Sequence, residues 1–370
     1  MHIISGLDVG GSERSLAAIA GRLDPRRFRS EIVSLIEPGA IAEEARAAGI
    51  PVTTLHMQKG RPRPSEVVSL ARRMRLLQPT IIQTWLYHAD IVGLLASRLA
   101  LNPNVVWNIR CSNIAAQDVK LRLAIRVISY LSGLPQAVIA NSVRGREAHE
   151  ALGYRPRRWV EIPNGVDLVR FRPRPGERQR LRLELGIKPE STVVGMVARY
   201  HSMKDHTTFL KSAAALSEFV KDVEFVLCGK DCDPQNEELI NQIKLLGIES
   251  RVKLIGMRLD PENVFPAFDL TVSSSAFGEG SSNVLLEAMA CAVPCVVTDV
   301  GDSARIIGST GIAVPPRDPT ALMSACREML GRERLVWGDK ARARAVAEYD
   351  LQKLVARYEA LYGELAARIG

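Results

Sequence analysis

Hydrophobic and polar positions along the chain follow two patterns that alternate from end to end. Short apolar runs, typical of strands buried on both faces, are separated by longer stretches with helical periodicity. This alternation is typical of βαβ units and parallel sheets. In the first half it predicts helices such as 64–77, 89–101 and 119–131, between strands at 3–5, 31–35, 52–55, 80–84, 104–109, 137–140 and 160–162.

The same rhythm restarts in the second half, with predicted strands at 192–198, 223–227, 251–255, 270–273, 295–298 and 311–314. Between the halves, NGVDLVRFRPRPGERQ is rich in Arg and Pro, which indicates a linker near 165–178. We therefore predict an α/β chain of two Rossmann-like, doubly wound domains facing each other across a cleft, at 1–165 and 166–349. Residues 350–368 have helical periodicity and no following strand, so this helix could pack on either domain.

Composition is that of an ordinary globular protein, with 46% apolar and 24% charged residues in 370. No segment approaches the roughly 18 uncharged apolar residues that span a bilayer. The N-terminus lacks a basic leader followed by a long apolar run, and we expect a cytoplasmic protein. None of the six cysteines is placed with histidines at zinc-like spacing, so buried free thiols are expected.

Positive charge is concentrated in the first half of the chain. Residues 1–165 contain 22 Lys and Arg against 13 Asp and Glu, a balance of +9, and the rest contain 27 against 28. Clusters such as Arg72, Arg73 and Arg75 could face anionic lipid or nucleic acid, or simply be solvated. Aromatic residues are only 5% and do not interleave with these clusters, which argues against nucleic acid.

Ligands of open α/β sheets bind beyond the carboxyl ends of strands, so the loops there carry the candidate chemistry. Arg199 directly follows the strand TVVGMVA, and Lys204 comes five residues later; both can reach a diphosphate. Gly10 and Gly11 follow the first strand and open a helix, so their amides could bind an anion. A plain tight turn without a ligand is an equally good interpretation of this pair. The spacing GxGxxG is absent, which argues against a nicotinamide dehydrogenase.

The segment GEGSSNVLLEAMACAVP carries two glutamates, Glu279 and Glu287. Glu279 is predicted in a loop, and Ser281, Ser282 and Asn283 in the first turn of a helix over 281–292, whose free amides suit a phosphate. Each carboxylate can accept hydrogen bonds from neighbouring sugar hydroxyls, so the two could hold separate parts of one ligand. A surface position is the alternative for each, but Glu287 lies within VLLEAMA, where burial requires a partner.

The motif of Glu279, seven residues and Glu287, followed by AMACAVPCVVTDVG, resembles the donor-binding signature of the retaining family 4 glycosyltransferases of the GT-B fold. The resemblance covers nearly the whole chain, with further motifs in the expected order: GLDVGGSERSL near the start, ANS at 140–142, IPNGVD at 162–167, the Arg199 and Lys204 pair, LCGKD at 227–231, LIGMR at 254–258 and the tail at 301–319.

The resemblance implies that the C-terminal helix at 350–368 crosses back onto the first domain and completes it. It also implies a role for each candidate residue. Glu279 would contact hydroxyls of the transferred sugar, Glu287 the ribose, and Arg199 and Lys204 the diphosphate. The amides of Ser282 and Asn283 would bind the diphosphate, and Gly278, Gly280 and Ser281 would surround the sugar. Met257 and Arg258 would lie beside the base. Gly10 and Gly11 would lie over the donor phosphate from the opposite domain.

The implied reaction is transfer with retention from a nucleotide sugar, of which UDP is the commonest nucleotide in the family. Cations and amides would stabilise the leaving diphosphate, so neither a metal nor another cofactor is expected. The acceptor would be a glycan or a lipid-linked saccharide, held by a basic first domain that touches the inner face of the plasma membrane. Three alternatives stay open: a sugar-nucleotide 2-epimerase, a sugar-phosphate-accepting synthase and a non-catalytic nucleotide-sugar-binding partner.

Two features depart from the family pattern. Many relatives have a histidine after the strand at 105–109, whereas this chain reads NIRCSN at 108–113. Arg110 could take its place, His88 in WLYHAD could supply the imidazole, or no such group exists; His88 could also be structural beside Asp90. Secondly, Asp231-Cys232-Asp233 mimics a DxD metal signature but lies in an architecture that does not use it, so no metal site is predicted there.

Overall fold

The computed structural model describes residues 1–8, 10–58, 63–102, 104–110, 119–331 and 334–368, with the backbone alone for 119–124 and 334. These residues form two compact units: Met1–Gly165 together with Leu351–Gly370, and Val166–Asp350. Each unit is built on one parallel sheet with helices packed on both faces. The α/β class predicted from the alternating pattern is confirmed.

The sheet of the first unit has seven strands in the order β3-β2-β1-β4-β5-β6-β7. The chain builds outward from β1 to β3 and then returns to the other side of β1. The strands are β1 His2–Ile4, β2 Ile32–Ser34, β3 Val52–Thr54, β4 Ile82–Trp85, β5 Val105–Ile109, β6 Ala137–Ala140 and β7 Trp159–Glu161. The helices are α1 Gly11–Ala20, α2 Ala40–Ala47, α3 Pro64–Leu77, α4 Tyr87–Leu99, α5 Val119–Leu131 and α6 Val143–Ala151.

The sheet of the second unit has six strands in the order β10-β9-β8-β11-β12-β13. The strands are β8 Thr192–Val197, β9 Val223–Cys228, β10 Val252–Leu254, β11 Leu270–Ser273, β12 Cys295–Thr298 and β13 Gly311–Val314. The helices are α7 Pro175–Glu184, α8 His206–Phe219, α9 Glu237–Leu245, α10 Asn283–Ala290, α11 Ser303–Ile307, α12 Pro319–Met329 and α13 Arg334–Glu348.

Alternate residues of each strand serve the two faces of a sheet, and both faces are covered. In the first unit Ile3 and Val33 pack toward α3, α4 and α5, whereas Ile4 and Ile32 pack toward α1 and α2. This two-sided burial explains why the strands are continuous apolar runs rather than alternating ones.

The C-terminal helix α14, Leu351–Ala367, belongs to the first unit. Leu354, Tyr358 and Leu361 are buried against the same core as Trp85 of β4. Burying each such side chain contributes roughly 1.5–3 kcal/mol, which is enough to hold the helix in place. The sequence pattern left either domain open, and the structure shows which one the helix covers.

Many boundaries differ from the sequence-based expectation by a few residues, and two of the differences affect the segments singled out in the sequence. The helix predicted at 281–292 spans Asn283–Ala290, and α7 begins at Pro175, inside the segment predicted as a linker. Proline suits the first position of a helix because its missing N–H has no intrahelical partner there. The Arg- and Pro-rich stretch therefore has the composition of a linker, but its last residues form the start of α7.

Five of the six cysteines are buried free thiols, as predicted, and Cys111 lies outside the described residues. Across the part of the chain that the structure describes, no helix is both long and apolar enough to cross a membrane.

Candidate functional site

The second sheet changes its direction of growth between its two central strands. From β8 the chain moves to β9 and β10 on one side, and from β11 to β12 and β13 on the other. In open α/β sheets the crevice at the carboxyl ends of two such strands is where ligands bind. Arg199 and Lys204 follow β8, and Glu279 follows β11. The structure therefore brings these three predicted residues to one switch point.

Hydrogen bonds tie the loops after β8 and β11 together. The loop after β8 folds into a 3₁₀ turn at Ser202–Lys204, and the Ala276 amide donates to the Met203 carbonyl at 2.8 Å. The Ser274 hydroxyl donates to the Lys204 carbonyl at 2.9 Å. Because the backbone of Lys204 is fixed in this way, less conformational entropy is lost when its ammonium group binds a ligand.

Glu279 is a buried, ionised carboxylate, only 7% exposed. Its Oε1 accepts hydrogen bonds from the Lys204 ammonium and from the Ser275 hydroxyl, the latter at 2.6 Å. Burial acts to raise the pKa of Glu279, but the charge and hydrogen bond of Lys204, the Ser275 hydroxyl and the charge of Arg199 outweigh it and lower the pKa below its usual value. Near neutral pH this group accepts hydrogen bonds and does not donate a proton.

The burial of the two glutamates is the reverse of what their sequence neighbours suggest. Glu287, flanked by apolar residues, is half-buried on α10, whereas Glu279, flanked by Gly, is almost fully buried. Helical periodicity turns one face of α10 away from the core, and Glu287 lies on that face. Burial raises the pKa of the nearby Cys291 thiol to about 12, Glu287 adds to this, and Arg342 and Arg174 oppose it. Glu287 therefore shares its surroundings with two arginines.

Helix α10 begins directly after the loop that carries Glu279. Ser282 is its N-cap residue, but the Ser282 side chain does not cap the helix, whereas Asp205 caps α8. The amides of a first turn carry partial positive charge, which favours a phosphate. The prediction that Ser281 and Ser282 form part of the first turn is wrong, because the helix starts at Asn283 and Ser282 is its N-cap residue.

Gly301, in the loop after β12, packs flat against the loop of Glu279. Its φ is 59°, and a Cβ at this position would lie 2.2 Å from the Glu279 carbonyl oxygen and 3.0 Å from the Gly280 carbonyl oxygen. The adjacent Asp302 amide donates to the Gly280 carbonyl at 3.1 Å. Gly301 is the last residue of the AMACAVPCVVTDVG motif, but the sequence assigned it no structural role, because a contact between two loops that are distant along the chain leaves no local pattern.

Gly301→Ala is expected to destabilise the second unit by about 3 kcal/mol, because alanine is strained at positive φ and its Cβ displaces the Glu279 loop. Gly247→Ala is the matched control: its φ is 65°, but nothing lies within 4 Å of the added Cβ, so only about 1 kcal/mol is expected. Urea unfolding measures both. Equal losses in the two variants would show that the contact with the Glu279 loop is unimportant.

The other donor-site candidates of the second unit lie on neighbouring loops. Gly278 has a φ of 81°, so the turn before Glu279 uses a left-handed conformation. Met257 and Arg258 follow β10, two strands from β8 on the same edge. Arg258 pairs with Asp260 and with Glu184, each at 3.0 Å. Its guanidinium is held by these carboxylates, and exposed Met257 offers an apolar surface for a flat ring.

In the first unit, Gly10 and Gly11 open α1 after β1. Gly10 is the N-cap residue and Gly11 the first residue of the helix. The Glu13 side chain folds back toward them, since a Cβ on Gly10 would lie 2.3 Å from Glu13 Oε2. The loop therefore forms a helix N-terminus, as anion binding requires, but an incoming anion competes with the Glu13 carboxylate.

Arg110 follows β5, and its guanidinium is buried 5.1 Å from the centroid of the Trp85 ring. Burial lowers the pKa of Arg110 from its usual value, while Tyr358 and Glu13 act to raise it. Asn108 Nδ2 donates to the same Tyr358 hydroxyl at 3.3 Å. Within the described parts of the chain, Arg110 Nη2 has no hydrogen-bond partner, so a buried donor is available at the carboxyl edge of the first sheet.

His88 lies in the first turn of α4, with an exposed side chain. The structural alternative for it, a pairing with Asp90, is not seen: Asp90 is buried and accepts a hydrogen bond from the Thr84 hydroxyl. Leu86, just before α4, has a φ of 73°, which is strained for leucine. Since β4 and β5 are neighbours, His88 and Arg110 follow adjacent strands, and the choice between them stays a prediction.

Asp231-Cys232-Asp233 forms a tight turn after β9. Asp233 Oδ1 accepts a hydrogen bond from the Gln235 amide at 3.0 Å, and the buried Cys232 thiol donates to the Ala198 carbonyl at 3.2 Å. Among the residues that the structure describes, no group of three or more His, Cys, Asp and Glu side chains gathers as a metal site would require.

Comparison with known families matches both halves of the chain. Residues 9–170 match the family model described as Glycosyltransferase Family 4, and residues 191–332 match the model described as Glycosyl transferases group 1. The chain belongs to the family 4 glycosyltransferases. The family predicted from the two-glutamate motif and its companions is confirmed.

This family 4 glycosyltransferase has curated relatives with defined activities. It is 25% identical over 304 residues to the UDP-Gal:alpha-D-GlcNAc-diphosphoundecaprenol alpha-1,3-galactosyltransferase of Escherichia coli, covering 80% of this chain and 78% of that protein. It is 30% identical over 245 residues to the D-inositol 3-phosphate glycosyltransferase of Geodermatophilus obscurus, covering 62% of this chain but only 54% of that protein.

A solved structure matches the glycosyltransferase over both units. The crystal structure of HepE from Anabaena in complex with UDP aligns with a TM-score of 0.84 and 25% identity, over 98% of this chain and 100% of HepE. The GT-B fold, with two Rossmann-like α/β domains, is thereby confirmed.

Proposed function

We propose that this enzyme is a retaining, metal-independent glycosyltransferase that moves a sugar from a UDP-sugar to a glycan or a lipid-linked saccharide. The observation that carries the proposal is the ion pair of partly buried Lys204 and buried Glu279 at the switch point of the second sheet. A nucleotide sugar joins an anionic diphosphate to a ring rich in hydroxyls. The pair, together with Arg199 and the N-terminus of α10, offers a binding group for each of these parts.

In this proposal the positive groups stabilise the leaving diphosphate. Negative charge builds on the diphosphate as the anomeric carbon becomes oxocarbenium-like, and preorganised cations and amides stabilise that charge without reorganising. Arg199 binds through a planar fork, Lys204 as a point charge, and the amides of Ser282 and Asn283 through the start of α10. Glu287 accepts hydrogen bonds from the ribose.

Glu279 holds the transferred sugar. Because its pKa is lowered, it stays ionised and accepts hydrogen bonds from two neighbouring hydroxyls. It does not act as a general acid. Retention then follows because the acceptor hydroxyl attacks the anomeric carbon on the same face from which the phosphate departs. An oxygen of the departing phosphate takes the proton of that hydroxyl.

Independence of metal ions follows from the same charges. Lys204, Arg199 and the N-terminus of α10 supply the positive charge that a divalent cation supplies to diphosphates at other sites. The DxD-like pair of Asp231 and Asp233 lies in a turn after β9. In this proposal the pair plays no part in catalysis.

The nature of donor and acceptor is supported by the relatives. The name of the Escherichia coli relative specifies UDP-Gal as donor and a diphosphoundecaprenol-linked sugar as acceptor, and HepE was crystallised with UDP. The charge balance of +9 in residues 1–165 suits an acceptor with a diphosphate and a membrane with anionic headgroups. A UDP-sugar and a lipid-linked acceptor are accordingly our first choice.

A phosphorylated small acceptor is the second candidate, because a D-inositol 3-phosphate glycosyltransferase is also among the relatives. A panel of acceptors separates the two: transfer to inositol phosphate or to a sugar phosphate without lipid would favour the second. Incubation with the UDP-sugar alone tests for epimerase activity, which needs no acceptor.

Transfer from UDP-galactose or UDP-glucose to a polyprenyl diphosphate-linked sugar is expected to proceed at an unchanged rate, within about twofold, after EDTA treatment. Proton NMR of the product should show the anomeric configuration of the donor. Asp233→Asn should retain full activity, because in this proposal its carboxylate serves only the turn. Inversion of configuration, or loss of transfer in EDTA that magnesium restores, would contradict the proposal.

A further inference from the structure

Two helices of the first unit leave an apolar groove open at the surface. The start of α3 and the later turns of α4 border a groove of about 550 Å³, and Arg63 and Arg98 are among the residues that line it. Leu95 is 50% exposed and Leu99 is 47% exposed. The other apolar residues that line the groove are Pro64, Val67, Val68, Ile91 and Val92.

The exposed apolar surface extends beyond the groove. In the described residues of the first unit, the large hydrophobic side chains that are at least 37% exposed all lie on α3, α4 or α5, or in the turns that follow α4 and α5. We call this surface the α3–α5 face. Contiguous exposed apolar side chains, such as those of α3 and α4 that line the groove, mark a site of interaction. Its exposed members on the helices are Val68, Leu76, Leu77, Leu95, Leu99, Val127 and Tyr130.

The α3–α5 face is also positively charged. Arg72 on α3, Arg98 on α4 and Arg126 on α5 are exposed. Acidic residues on these helices are few: Glu66 is exposed in the first turn of α3, where it accepts a hydrogen bond from the N-cap amide, and Asp90 of α4 is buried. The sequence of α5 contains no acidic residue at all. Leucine and valine side chains are therefore flanked by arginines with few competing carboxylates.

We infer that the α3–α5 face docks on a lipid bilayer that contains anionic headgroups. Burial of the apolar side chains in the acyl boundary lowers the free energy, while the neighbouring arginines pair with lipid phosphates. This combination fits a bilayer better than nucleic acid, which attracts the arginines but gives exposed leucines nothing to pack against. The inference rests on the proposed function only for the lipid-linked nature of the acceptor.

Helix α4 connects this face with the predicted acceptor end of the first unit. His88 lies in its first turn and Leu99 in its last, so the two are about 16 Å apart along the helix axis. Leu95 and Leu99 of the α3–α5 face thus lie about 10 and 16 Å along the axis from His88 at the start of α4, at the carboxyl edge of the first sheet. A lipid-linked acceptor can reach that edge while its lipid stays in the membrane.

The double variant Leu95→Glu/Leu99→Glu tests the inference by vesicle sedimentation. Wild-type chain should bind vesicles of phosphatidylglycerol and phosphatidylcholine, bind less at high salt, and bind poorly to phosphatidylcholine alone. In the double variant the partition coefficient onto the anionic vesicles should fall at least about tenfold, because two carboxylates now face the headgroups. Arg98→Gln should reduce it by about fivefold.

Leu245→Glu is the matched control, since Leu245 is an exposed leucine on α9 of the second unit. It should bind the vesicles as wild type does, and the melting temperatures of all variants should agree with that of wild type. Wild-type binding by the double variant, equal binding to neutral vesicles, or an equal loss in Leu245→Glu would overturn the inference. Failure of the wild-type chain to bind any UDP-sugar would count against the proposed function and not against the vesicle result.

Discussion

Glu279→Gln should lower the rate of sugar transfer by about 10³-fold, while the affinity for UDP changes by no more than about threefold. The carboxylate makes two charge-assisted hydrogen bonds to sugar hydroxyls in the proposed complex, each contributing about 2 kcal/mol, and about 4 kcal/mol corresponds to 10³-fold in rate. UDP itself carries no transferred sugar, so its binding in this proposal depends on Arg199, Lys204, the start of α10 and Glu287. Steady-state transfer kinetics and a UDP titration measure the two effects.

Glu287→Gln is the contrasting control for that variant. Its carboxylate lies on the half-buried face of α10 and is proposed to hold the ribose, so UDP affinity should fall by about tenfold with little change in the rate of the bound donor. If Glu279→Gln retained transfer activity, or if both variants lost UDP binding equally, the separate roles of the two glutamates would be wrong.

Lys204→Met is expected to weaken UDP binding by about 100-fold and to destabilise the second unit by about 3 kcal/mol at neutral pH. The first effect follows from loss of a cation that contacts the diphosphate. The second follows because removing one partner of a buried ion pair leaves Glu279 buried without its main counter-charge. A UDP titration and urea unfolding provide the two measurements.

The contribution of Glu279 to the pH dependence of the free energy of unfolding should change sign in Lys204→Met. In the wild-type protein the folded-state pKa of Glu279 is lowered, so the stability it contributes is present above the unfolded pKa and is lost as pH falls through the folded pKa. Without Lys204, burial dominates and raises the folded-state pKa of Glu279. The destabilisation is then largest at high pH and shrinks as acid protonates the carboxyl.

Two further variants separate the ion pair from the general effect of losing a lysine. The double variant Lys204→Met/Glu279→Gln should recover much of the lost stability, because no uncompensated charge stays buried. Lys253→Met is the matched control: Lys253 pairs with Glu224 at 3.8 Å near the surface, so less than about 1 kcal/mol is expected. Equal destabilisation by Lys204→Met and Lys253→Met would contradict the claim that Lys204 is the main counter-charge of the buried Glu279 carboxylate.

The fold could be predicted from the sequence because its strands are buried on both faces and therefore form continuous apolar runs. The strands at 137–140, 270–273, 295–298 and 311–314 and the helix at 64–77 have the predicted bounds. The position of Arg199 and Lys204 beside Glu279 also follows from the strand order of an open parallel sheet. The chemistry at the carboxyl ends of strands is therefore the part of the site that is accessible from sequence.

Features that depend on tertiary contacts could not be predicted. The burial of Glu279 depends on Lys204 and Ser275, and the close approach of Gly301 depends on a loop from another strand. The contact of Tyr358 with Asn108 and Arg110 joins the last helix to a strand about 250 residues earlier. None of these contacts leaves a local signal, because each joins residues that are distant along the chain.

The most direct measurement of the donor site is a calorimetric titration of UDP into the full chain in the presence of EDTA. We predict saturable binding at a single site in the wild-type protein and binding at least about 100-fold weaker in Lys204→Met. Binding that appears only when a divalent metal is added, or equal affinity in the two proteins, would contradict a metal-independent diphosphate site built on Lys204.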